Sequence, residues 1–404
     1  MAVQSFIIAA KRTPFGAFGG KLKDLTANEL GGIAAKAAIA SLPANVQEHL
    51  TKSASPRQSV IFGNVLQSFT DAPYLARHVG HRAGLPITTP AVTVNRLCTS
   101  GFQSIIMATQ EIKADDSDIV VTGGSENMSQ APYALRNVRW GTKLGPEYLK
   151  MEDTLMAALT DRHPEVVPMA ITAERLADKY NVTREECDQF SLQSQQRWAK
   201  ANEAGVFSSE ITPVDVKVKR EIQSMAADEH PRPQTTIEGL SRLAPVFKKD
   251  GVVTAGNASG ISDGASAVIV ASEDAVKKHN ITPMARIVSY HVVGVEPGIM
   301  GIGPVDAIRG ALAKAGLSLG QMDLIEINEA FAAQVLSCAK ALDIDPSKLN
   351  LSGGAIALGH PLGASGSRIM GHLAHRLAET GGRYAVGSAC AGGGQGVAII
   401  IEAV

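Results

Sequence analysis

The stretch VIFGNVLQ, residues 60–67, decides the fold because its design recurs near the other end of the chain. In this stretch an apolar run leads into a polar turn at Asn64, as expected of a buried strand that ends in a loop. The stretch LIEINEAFA, residues 324–332, has the same design, with Asn328 in the matching position. The chain therefore contains an internal repeat.

The repeat extends outward from these two stretches. A small-residue elbow follows each at a nearly equal distance, CTSGF at residues 98–102 and GASGS at residues 363–367. Each elbow leads into a predicted helix, an apolar strand and a glycine turn, at residues 102–113, 118–122 and 123–124 and again at residues 367–380, 384–389 and 392–394. The openings also correspond, with a strand and a helix at residues 6–10 and 27–40 and at residues 285–290 and 305–315. This alternation predicts two α/β halves related by a pseudo-twofold axis.

The middle of the chain lacks this pattern. We predict helices there at residues 169–180 and 184–205, the second of which begins with a capping box of Thr183 and Glu186. We interpret the region as an inserted helical lid, or alternatively as a surface insertion without function. The predicted division is an N-terminal half formed by residues 1–123 and 252–275, a lid at residues 124–251 and a C-terminal half at residues 276–404.

Composition limits the class of protein. The chain has 404 residues with 45% hydrophobic and 19% charged residues, which is typical of a globular protein of two or three packed units. The formal net charge of −1 gives no general attraction to nucleic acid or to an anionic membrane. Four scattered cysteines have neither the spacing of a disulfide framework nor paired metal-ligand spacing, so we expect a reducing compartment.

Targeting signals are not visible in the sequence. No apolar run reaches the length of about 18 residues that a membrane span requires, so we expect no transmembrane segment. The first residues, MAVQSFIIAAKRTPFG, resemble neither a secretory signal nor an Arg- and Ser-rich transit peptide. The last residues are not of the peroxisomal Ser-Lys-Leu type.

Cys98 is the first candidate for chemistry because it stands where the apolar run at residues 91–94 turns into a helix. A helix start offers free N–H groups and a partial positive charge, so we expect the thiol pKa to fall below its usual value of about 8.5. The arrangement is similar to the nucleophile elbow of hydrolases, with sulfur in place of oxygen. The alternative is a buried, inert thiol.

Three further sites contain reactive or polar groups. His360 lies in GGAIALGHPLG, residues 353–363, where it is either a general base or a histidine satisfied within a turn. Cys390 lies in SACAGGGQG, residues 388–396, whose glycines either expose N–H groups to an anion or form a structural turn. Asn328 ends its strand and needs partners if it is buried.

Together these motifs resemble the thiolase family. The resemblance rests on CTSG, NEAFA, GHPLG and CAGGGQG, on KRTPFG, GGSENMS and GNASGISDGA, and it covers nearly the whole chain in order. The segments VPMAITAERLA, RPQTT and FKKDGVVTAGNASG are most similar to the mitochondrial branch that degrades 3-oxoacyl-CoA in fatty-acid β-oxidation. Two positions depart from other branches, Thr99 in place of glycine and Pro168-Met169-Ala170 in place of His-Met-Gly.

The resemblance implies a five-layered αβαβα fold and a role for each candidate. His360 would deprotonate Cys98, whose thiolate attacks the 3-oxo carbon. The N–H groups of Cys98 and Gly392 would hold the oxyanion, and Asn328 would hold a water beside the departing enolate. Cys390 would protonate that enolate and then deprotonate the incoming coenzyme A.

The resemblance also implies the ligands and the assembly. Coenzyme A would be a co-substrate bound by Arg232, Thr235 and Ser259, with acyl-CoA as the other substrate and no bound cofactor or metal. The chain would form a dimer or tetramer in the mitochondrial matrix, without a visible cleaved presequence, or alternatively in the cytoplasm. If coenzyme A is absent, we expect water to cleave the acyl-enzyme slowly.

Other functions are weighed against this one. An acetoacetyl-CoA thiolase would use the same residues on a shorter chain. A ketoacyl synthase of the same fold has histidine where Cys390 stands. A non-catalytic acyl-CoA carrier would bind the ligand without forming acyl-Cys98. A zinc site of Cys98, His360 and Cys390 lacks paired spacing.

Overall fold

The computed structural model describes residues 3–52, 57–145 and 148–404. Its strands are β1 Ser5–Arg12, β2 Gly16–Ala17, β3 Gln58–Gly63, β4 Ala91–Val94, β5 Ile119–Asn127, β6 Tyr133–Leu135, β7 Met151–Asp153, β8 Thr160–Asp161, β9 Val167–Pro168, β10 Val214–Val218, β11 Glu221–Met225, β12 Ser262–Ser272, β13 Ala285–Gly294, β14 Leu324–Ile327, β15 Tyr384–Ala391 and β16 Gln395–Ala403. Its α-helices are α1 Ala27–Ala40, α2 Ala44–Lys52, α3 Leu75–Arg82, α4 Ser100–Lys113, α5 Thr154–Ala158, α6 Met169–Tyr180, α7 Arg184–Glu203, α8 Ile237–Ser241, α9 Glu273–His279, α10 Gly303–Ala315, α11 Ala332–Leu342, α12 Ala355–Leu358 and α13 Ser365–Thr380.

The sheet topology confirms the repeat. In the first half, β3 pairs in parallel with β4 and β5, and β5 then pairs antiparallel with β12. In the second half, β14 pairs in parallel with β15, which pairs antiparallel with β16. The register also matches, since Ile61 lies opposite Thr122 and Ile325 lies opposite Val386.

The two halves are joined through their first strands. β1 pairs with β12 on one side and with β13 on the other, where Ser5 lies opposite Ile287 and Ile7 opposite Ala285. The strand order is therefore β14-β15-β16-β13-β1-β12-β5-β3-β4 along one continuous ladder. A short antiparallel pairing between the halves thus links sheets that are otherwise separate.

Helices cover these sheets in the predicted order of layers. α1 and α3 pack against the N-terminal half in one apolar cluster, and α10 and α11 pack against the C-terminal half in another. Between the halves, α4 and α13 share a third cluster with strands of both. The five-layered αβαβα architecture is therefore confirmed.

The two central helices cross at glycines that occupy equivalent places in the two elbows. A Cβ atom on Gly101 would lie 2.5 Å from the backbone nitrogen of Ser367, and one on Gly366 would lie 2.4 Å from that of Phe102. Such distances are well inside van der Waals contact. Glycine is required at both positions because the backbones touch at the pseudo-twofold axis.

The predicted turn at residues 123–124 is wrong, since β5 continues through both glycines to Asn127. A Cβ atom on Gly124 would lie 1.8 Å from the carbonyl oxygen of Gly363, so glycine serves here to admit a neighbouring loop. The strand also extends beyond the boundary drawn for the lid at residue 124. By contrast, residues 392–394 form the predicted turn, with positive φ angles at Gly393 and Gly394.

The inserted region packs on both halves. α6 matches its predicted bounds, and α7 begins with the predicted capping box of Thr183 and Glu186. The fully buried Arg12 on β1 pairs with Glu210 at 2.7 Å and with Asp228 at 2.6 Å, and both carboxylates belong to the insertion. Within the described ranges, no helix is long and apolar enough to cross a membrane.

Candidate active site

Cys98 lies in a tight turn between β4 and α4. The preceding residue, Leu97, has a left-handed φ of 49°, which is rare for a branched side chain. Ser100 stabilises the turn because its hydroxyl donates to the Leu97 carbonyl at 2.7 Å and accepts from the Arg96 N–H at 2.9 Å. Thr99 also contributes, donating to the Arg96 carbonyl at 2.8 Å. The predicted elbow is therefore present.

The ionisation of Cys98 differs from the expectation. Its side chain is half-buried because it borders a cavity, but it lies deep in the protein, and this burial raises the pKa of the thiol to about 11. The N–H groups of Gly392 and of Cys98 itself act in the opposite direction without outweighing burial. The free energy that the thiolate loses when it is removed from water exceeds the stabilisation that the helix start provides. The resting thiol is therefore protonated and needs a base.

His360 has the tautomer that such a base requires. Ser365 donates its hydroxyl proton to the Pro361 carbonyl at 2.9 Å, so it accepts from Nδ1–H of His360 at 2.6 Å. This leaves a lone pair on Nε2, which faces the side-chain N–H of Asn328 at 3.3 Å. Burial and the nearby Arg368 lower the pKa of His360 to about 3, so the imidazole is neutral.

Asn328 is buried at the end of β14 with one atom free. Its Oδ1 has no hydrogen-bond partner among the described residues, although buried polar atoms normally have one. The adjacent Glu329 turns the other way, accepting from Ser194 at 2.7 Å and from Asn350 at 2.9 Å. Within the described part of the chain, Oδ1 of Asn328 thus remains without a partner beside His360, whereas Glu329 holds the loop in place.

Cys390 is buried at the end of β15, against Met300 and Ala330. Burial raises its pKa well above the ordinary thiol value, and the nearby Cys98 raises it further. The two thiols are therefore close enough to influence each other. The glycine turn that follows places the Gly392 N–H against the sulfur of Cys98.

One cavity of about 210 Å³ brings the predicted residues together. Cys98, His360, Cys390 and Ser259 all line it, whereas Asn328 does not line it and lies behind His360. The remaining wall is almost wholly apolar. Within residues 124–251 it includes Met128, Met156, Leu159, Pro168, Met169, Ala170 and Phe247, and elsewhere it includes Ala258, Gly260, Ile261, Met300, Ala330, Phe331 and Leu362. The site suits an apolar chain that ends at two thiols and a base.

Arg232 and Thr235 lie in a neighbouring surface groove of about 470 Å³. Ala258 lines both the groove and the inner cavity, so the two are adjacent at that point. The Thr235 hydroxyl donates to the Arg232 carbonyl at 2.7 Å, which fixes the loop. The Arg232 side chain is exposed, and a guanidinium in this position suits a phosphate or an adenine ring.

Sequence analysis missed two residues of this site. Ser365 selects the tautomer of His360, and its only signal was a hydroxyl at the mouth of the second elbow. Glu126 is fully buried beneath the site, and its only signal was an acidic residue inside an otherwise small and apolar strand. From the local sequence alone, neither residue can be told apart from residues with a purely structural role.

A metal site is a separate question. Of the residues in the described ranges, no three or more His, Cys, Asp or Glu side chains stand close enough together to hold a metal ion. The cavity instead offers thiols, an imidazole and backbone N–H groups. These suit acyl transfer through sulfur.

Comparison with known proteins agrees with this geometry. Residues 5–274 match the model for "Thiolase, N-terminal domain" and residues 281–403 the model for "Thiolase, C-terminal domain". The chain is 62% identical over 399 residues to the mitochondrial 3-ketoacyl-CoA thiolase of Bos taurus, covering 98% of each. The crystal structure of the human mitochondrial 3-ketoacyl-CoA thiolase is 61% identical, covers 100% of each chain and superposes with a TM-score of 0.96.

A second solved structure carries a ligand. The human mitochondrial 3-ketoacyl-CoA thiolase in complex with CoA is 60% identical, with a TM-score of 0.95 over 100% of this chain and 98% of that one. Matches of this extent in sequence and structure, together with two thiols and a neutral histidine on one cavity, lead to a single conclusion. The chain belongs to the thiolase family.

Proposed function

We propose that this protein cleaves 3-oxoacyl-CoA with coenzyme A, giving acetyl-CoA and an acyl-CoA shortened by two carbons. The observation that carries the proposal is the convergence of Cys98, Cys390 and the neutral His360 on one apolar cavity. The names of the bovine and human relatives support the same activity. Each step follows from a group in the cavity.

Attack by Cys98 comes first. Nε2 of His360 takes the thiol proton as the sulfur bonds to the 3-oxo carbon, because that nitrogen holds the free lone pair. The carbonyl oxygen becomes an oxyanion, which the N–H groups of Cys98 and Gly392 stabilise. A thiol pKa of about 11 means that the thiolate forms during attack rather than beforehand.

Cleavage of the C2–C3 bond follows. The oxyanion re-forms a carbonyl, leaving the acyl group on Cys98, and the bonding electrons pass to C2 as the enolate of acetyl-CoA. Protonated His360 and a water held by Oδ1 of Asn328 stabilise the enolate oxygen. Cys390 then gives its proton to C2, which suits a thiol whose raised pKa keeps it protonated until the enolate forms.

Transfer to coenzyme A completes the cycle. The Cys390 thiolate takes the proton of the incoming thiol, whose sulfur attacks the acyl-Cys98 thioester. Cys98 leaves and recovers its proton from His360. Arg232 and Thr235 hold the coenzyme in the groove, and Ser259 holds its inner end in the cavity that lies next to the groove at Ala258.

The lining of the cavity favours longer acyl chains over C4 substrates. Methionine and leucine side chains from the lid form one wall, and methionine adapts well to flexible apolar ligands. The segment Pro168-Met169-Ala170 presents no histidine to a short polar acyl group. We therefore place the protein in degradative β-oxidation rather than in acetoacetyl-CoA synthesis.

The test measures coenzyme A-dependent loss of 3-oxoacyl-CoA absorbance with C4, C8 and C16 chains. Wild type is compared with Cys98→Ala and with Cys187→Ala, which removes a buried thiol remote from the cavity. We expect turnover of the longer chains by wild type and Cys187→Ala and none by Cys98→Ala. Turnover of C4 alone would favour acetoacetyl-CoA thiolase, and binding without turnover would favour a carrier.

Self-association is part of the proposal. In the hairpin of β6 and β7, the described part of the connection at residues 136–145 exposes Trp140 at 94% and Leu144 at 99%, which is unusual for large apolar side chains in a monomer. We propose that it packs against another copy in a dimer or tetramer. Light scattering of wild type and of the double variant Trp140→Asp, Leu144→Asp should show a smaller assembly for the variant. Equal masses would contradict this role for the hairpin.

We also propose a cellular location. The mitochondrial names of the bovine and human relatives support a mitochondrial location, which fractionation of source cells would test against a cytoplasmic one.

Water should also slowly cleave the acyl-Cys98 thioester when coenzyme A is absent. If no free acid forms during long incubation with acyl-CoA, this side activity does not exist.

A further inference from the structure

A second polar site lies across the pseudo-twofold axis from Cys390. Thr122 and Val386 hold equivalent register positions, opposite Ile61 and Ile325. Glu126 follows Thr122 at the same distance as Cys390 follows Val386, so Glu126 is the counterpart of Cys390. Asn64 follows Ile61 at the same distance as Asn328 follows Ile325, so Asn64 is the counterpart of Asn328.

The carboxylate of Glu126 fills this second site completely. Its Oε1 accepts from the side chain of Asn64 and from the Leu66 N–H, both at 3.0 Å. Its Oε2 accepts from the Val65 N–H at 3.0 Å and from the Gly363 N–H at 2.9 Å. Gly363 is the elbow residue that matches Cys98. The second site is therefore an anion-binding site whose anion is the carboxylate of Glu126.

These contacts join two loops beneath the catalytic thiol. Val65 and Leu66 follow β3, whereas Gly363 belongs to the loop that carries His360. Leu66 and Leu362 form a small apolar cluster against which Cys98 packs. Glu126 is also the charged side chain that acts on the Cys98 thiol, disfavouring its thiolate.

We propose that Glu126 is a positioning residue for thiolysis, which ties these loops together and places its negative charge near Cys98. The inference rests on the proposed role of Cys98 as nucleophile. The other titratable groups that face the pair are Asp263, which acts on Glu126, and Cys390 and His360, which share the cavity with Cys98. Burial raises the pKa of Glu126 to about 7, so its charge is present in more alkaline solution.

The test measures alkylation of Cys98 by iodoacetamide between pH 8 and pH 12, read by peptide mass spectrometry. Glu126→Gln removes the charge, so the thiolate is favoured and the pH midpoint of alkylation should fall by about one unit. Glu174→Gln is the matched control, because the buried Glu174 likewise accepts two backbone N–H groups, of Val252 and Val253 at 2.9 Å, away from Cys98. Its midpoint should equal that of wild type.

Geometry and charge are separated by Glu126→Asp, which keeps the charge but shortens the reach. This variant should lose turnover without a fall in the midpoint. If Glu126→Gln does not fold, Glu126→Asp still tests the charge, because it keeps the carboxylate, and a fall in its midpoint would overturn the inference. An unchanged midpoint in the folded charge variant overturns the inference.

The proposed function and the role of Glu126 are tested by different measurements. Alkylation needs no turnover, so the midpoint reports on Glu126 whether or not the protein cleaves 3-oxoacyl-CoA. Thiolysis that persists in Cys98→Ala would overturn the proposed function. A midpoint shift with no thiolysis in wild type would retain the link between Glu126 and Cys98 alone.

Discussion

Ser365 accepts a hydrogen bond from Nδ1 of His360 at 2.6 Å while its own proton goes to the Pro361 carbonyl. The serine cannot donate to both, so it selects one tautomer of the ring. Asn328 approaches the opposite nitrogen as a donor, which requires the same tautomer. Two independent contacts therefore prepare Nε2 to accept a proton.

Replacing Ser365 with alanine should lower kcat by about fivefold to tenfold, since a neutral hydrogen bond contributes about 1 kcal/mol. The KM for coenzyme A should not change, because the groove is remote from the ring. Ser367→Ala is the control, as its hydroxyl lies on the same helix and contacts Ala364 instead. An unchanged kcat in Ser365→Ala would mean that Asn328 alone sets the tautomer.

The alkylation rate of Cys98 in the free enzyme should rise about tenfold per pH unit below its pKa, because only the thiolate reacts. Since burial raises that pKa to about 11, the rise should continue past pH 9. Iodoacetamide kinetics on wild type, with Cys98→Ala as the blank, provide the measurement. A plateau near pH 8 would contradict the effect of burial.

Cys390→Ala should lower the thiolysis rate by about 10²-fold to 10⁴-fold, the range for loss of a general acid or base. Cys98 should remain open to iodoacetamide, because its elbow is formed by Ser100 and Thr99 and not by the second thiol. Steady-state assays and peptide mapping on one preparation check both results. Loss of alkylation together with activity would point to a collapsed cavity.

Arg232→Ala should raise the KM for coenzyme A about tenfold, since hydrogen bonds to charged groups contribute about 1.5–3 kcal/mol and this side chain is exposed. The kcat should change little, because the groove meets the reacting atoms only beyond Ala258. Arg242→Ala, outside the residues that line the groove, is the control. Equal KM values for Arg232→Ala and wild type would place the coenzyme elsewhere.

Gly101→Ala should destabilise the protein by about 1–3 kcal/mol, the usual cost of overpacking. The added methyl would meet the backbone of Ser367 where the central helices cross. Gly320→Ala should be nearly neutral, since its nearest contact, with Ser318, is 4.0 Å away. Urea unfolding of the two variants gives the comparison, and equal midpoints would mean that the crossing can widen without cost.

Local signals account for what the sequence predicted well. α1 and α6 were predicted at the residues where they occur, and the capping box at Thr183 marked the start of α7. Apolar periodicity and caps act within a few residues, so no tertiary information is needed. The repeat added the fold class, because two similar series of elements imply two similar halves.

Long-range contacts account for what it missed. The glycines at 123–124 read as a turn, yet β5 continues through both, and Gly124 admits Gly363 from the other half. The Cys98 pKa follows from depth within the folded protein, which the helix start alone does not convey. The part played by Glu126 depends on a loop more than two hundred residues away.

The pseudo-twofold axis also bears on the history of this enzyme. A single ancestral unit, paired with an identical copy, would have presented two symmetric pockets at the crossing of its central helices. Within one chain, the two pockets need not stay alike. One holds the thiol of Cys390 and the other the carboxylate of Glu126, so the same local design carries a proposed acid in one half and an internal anchor in the other.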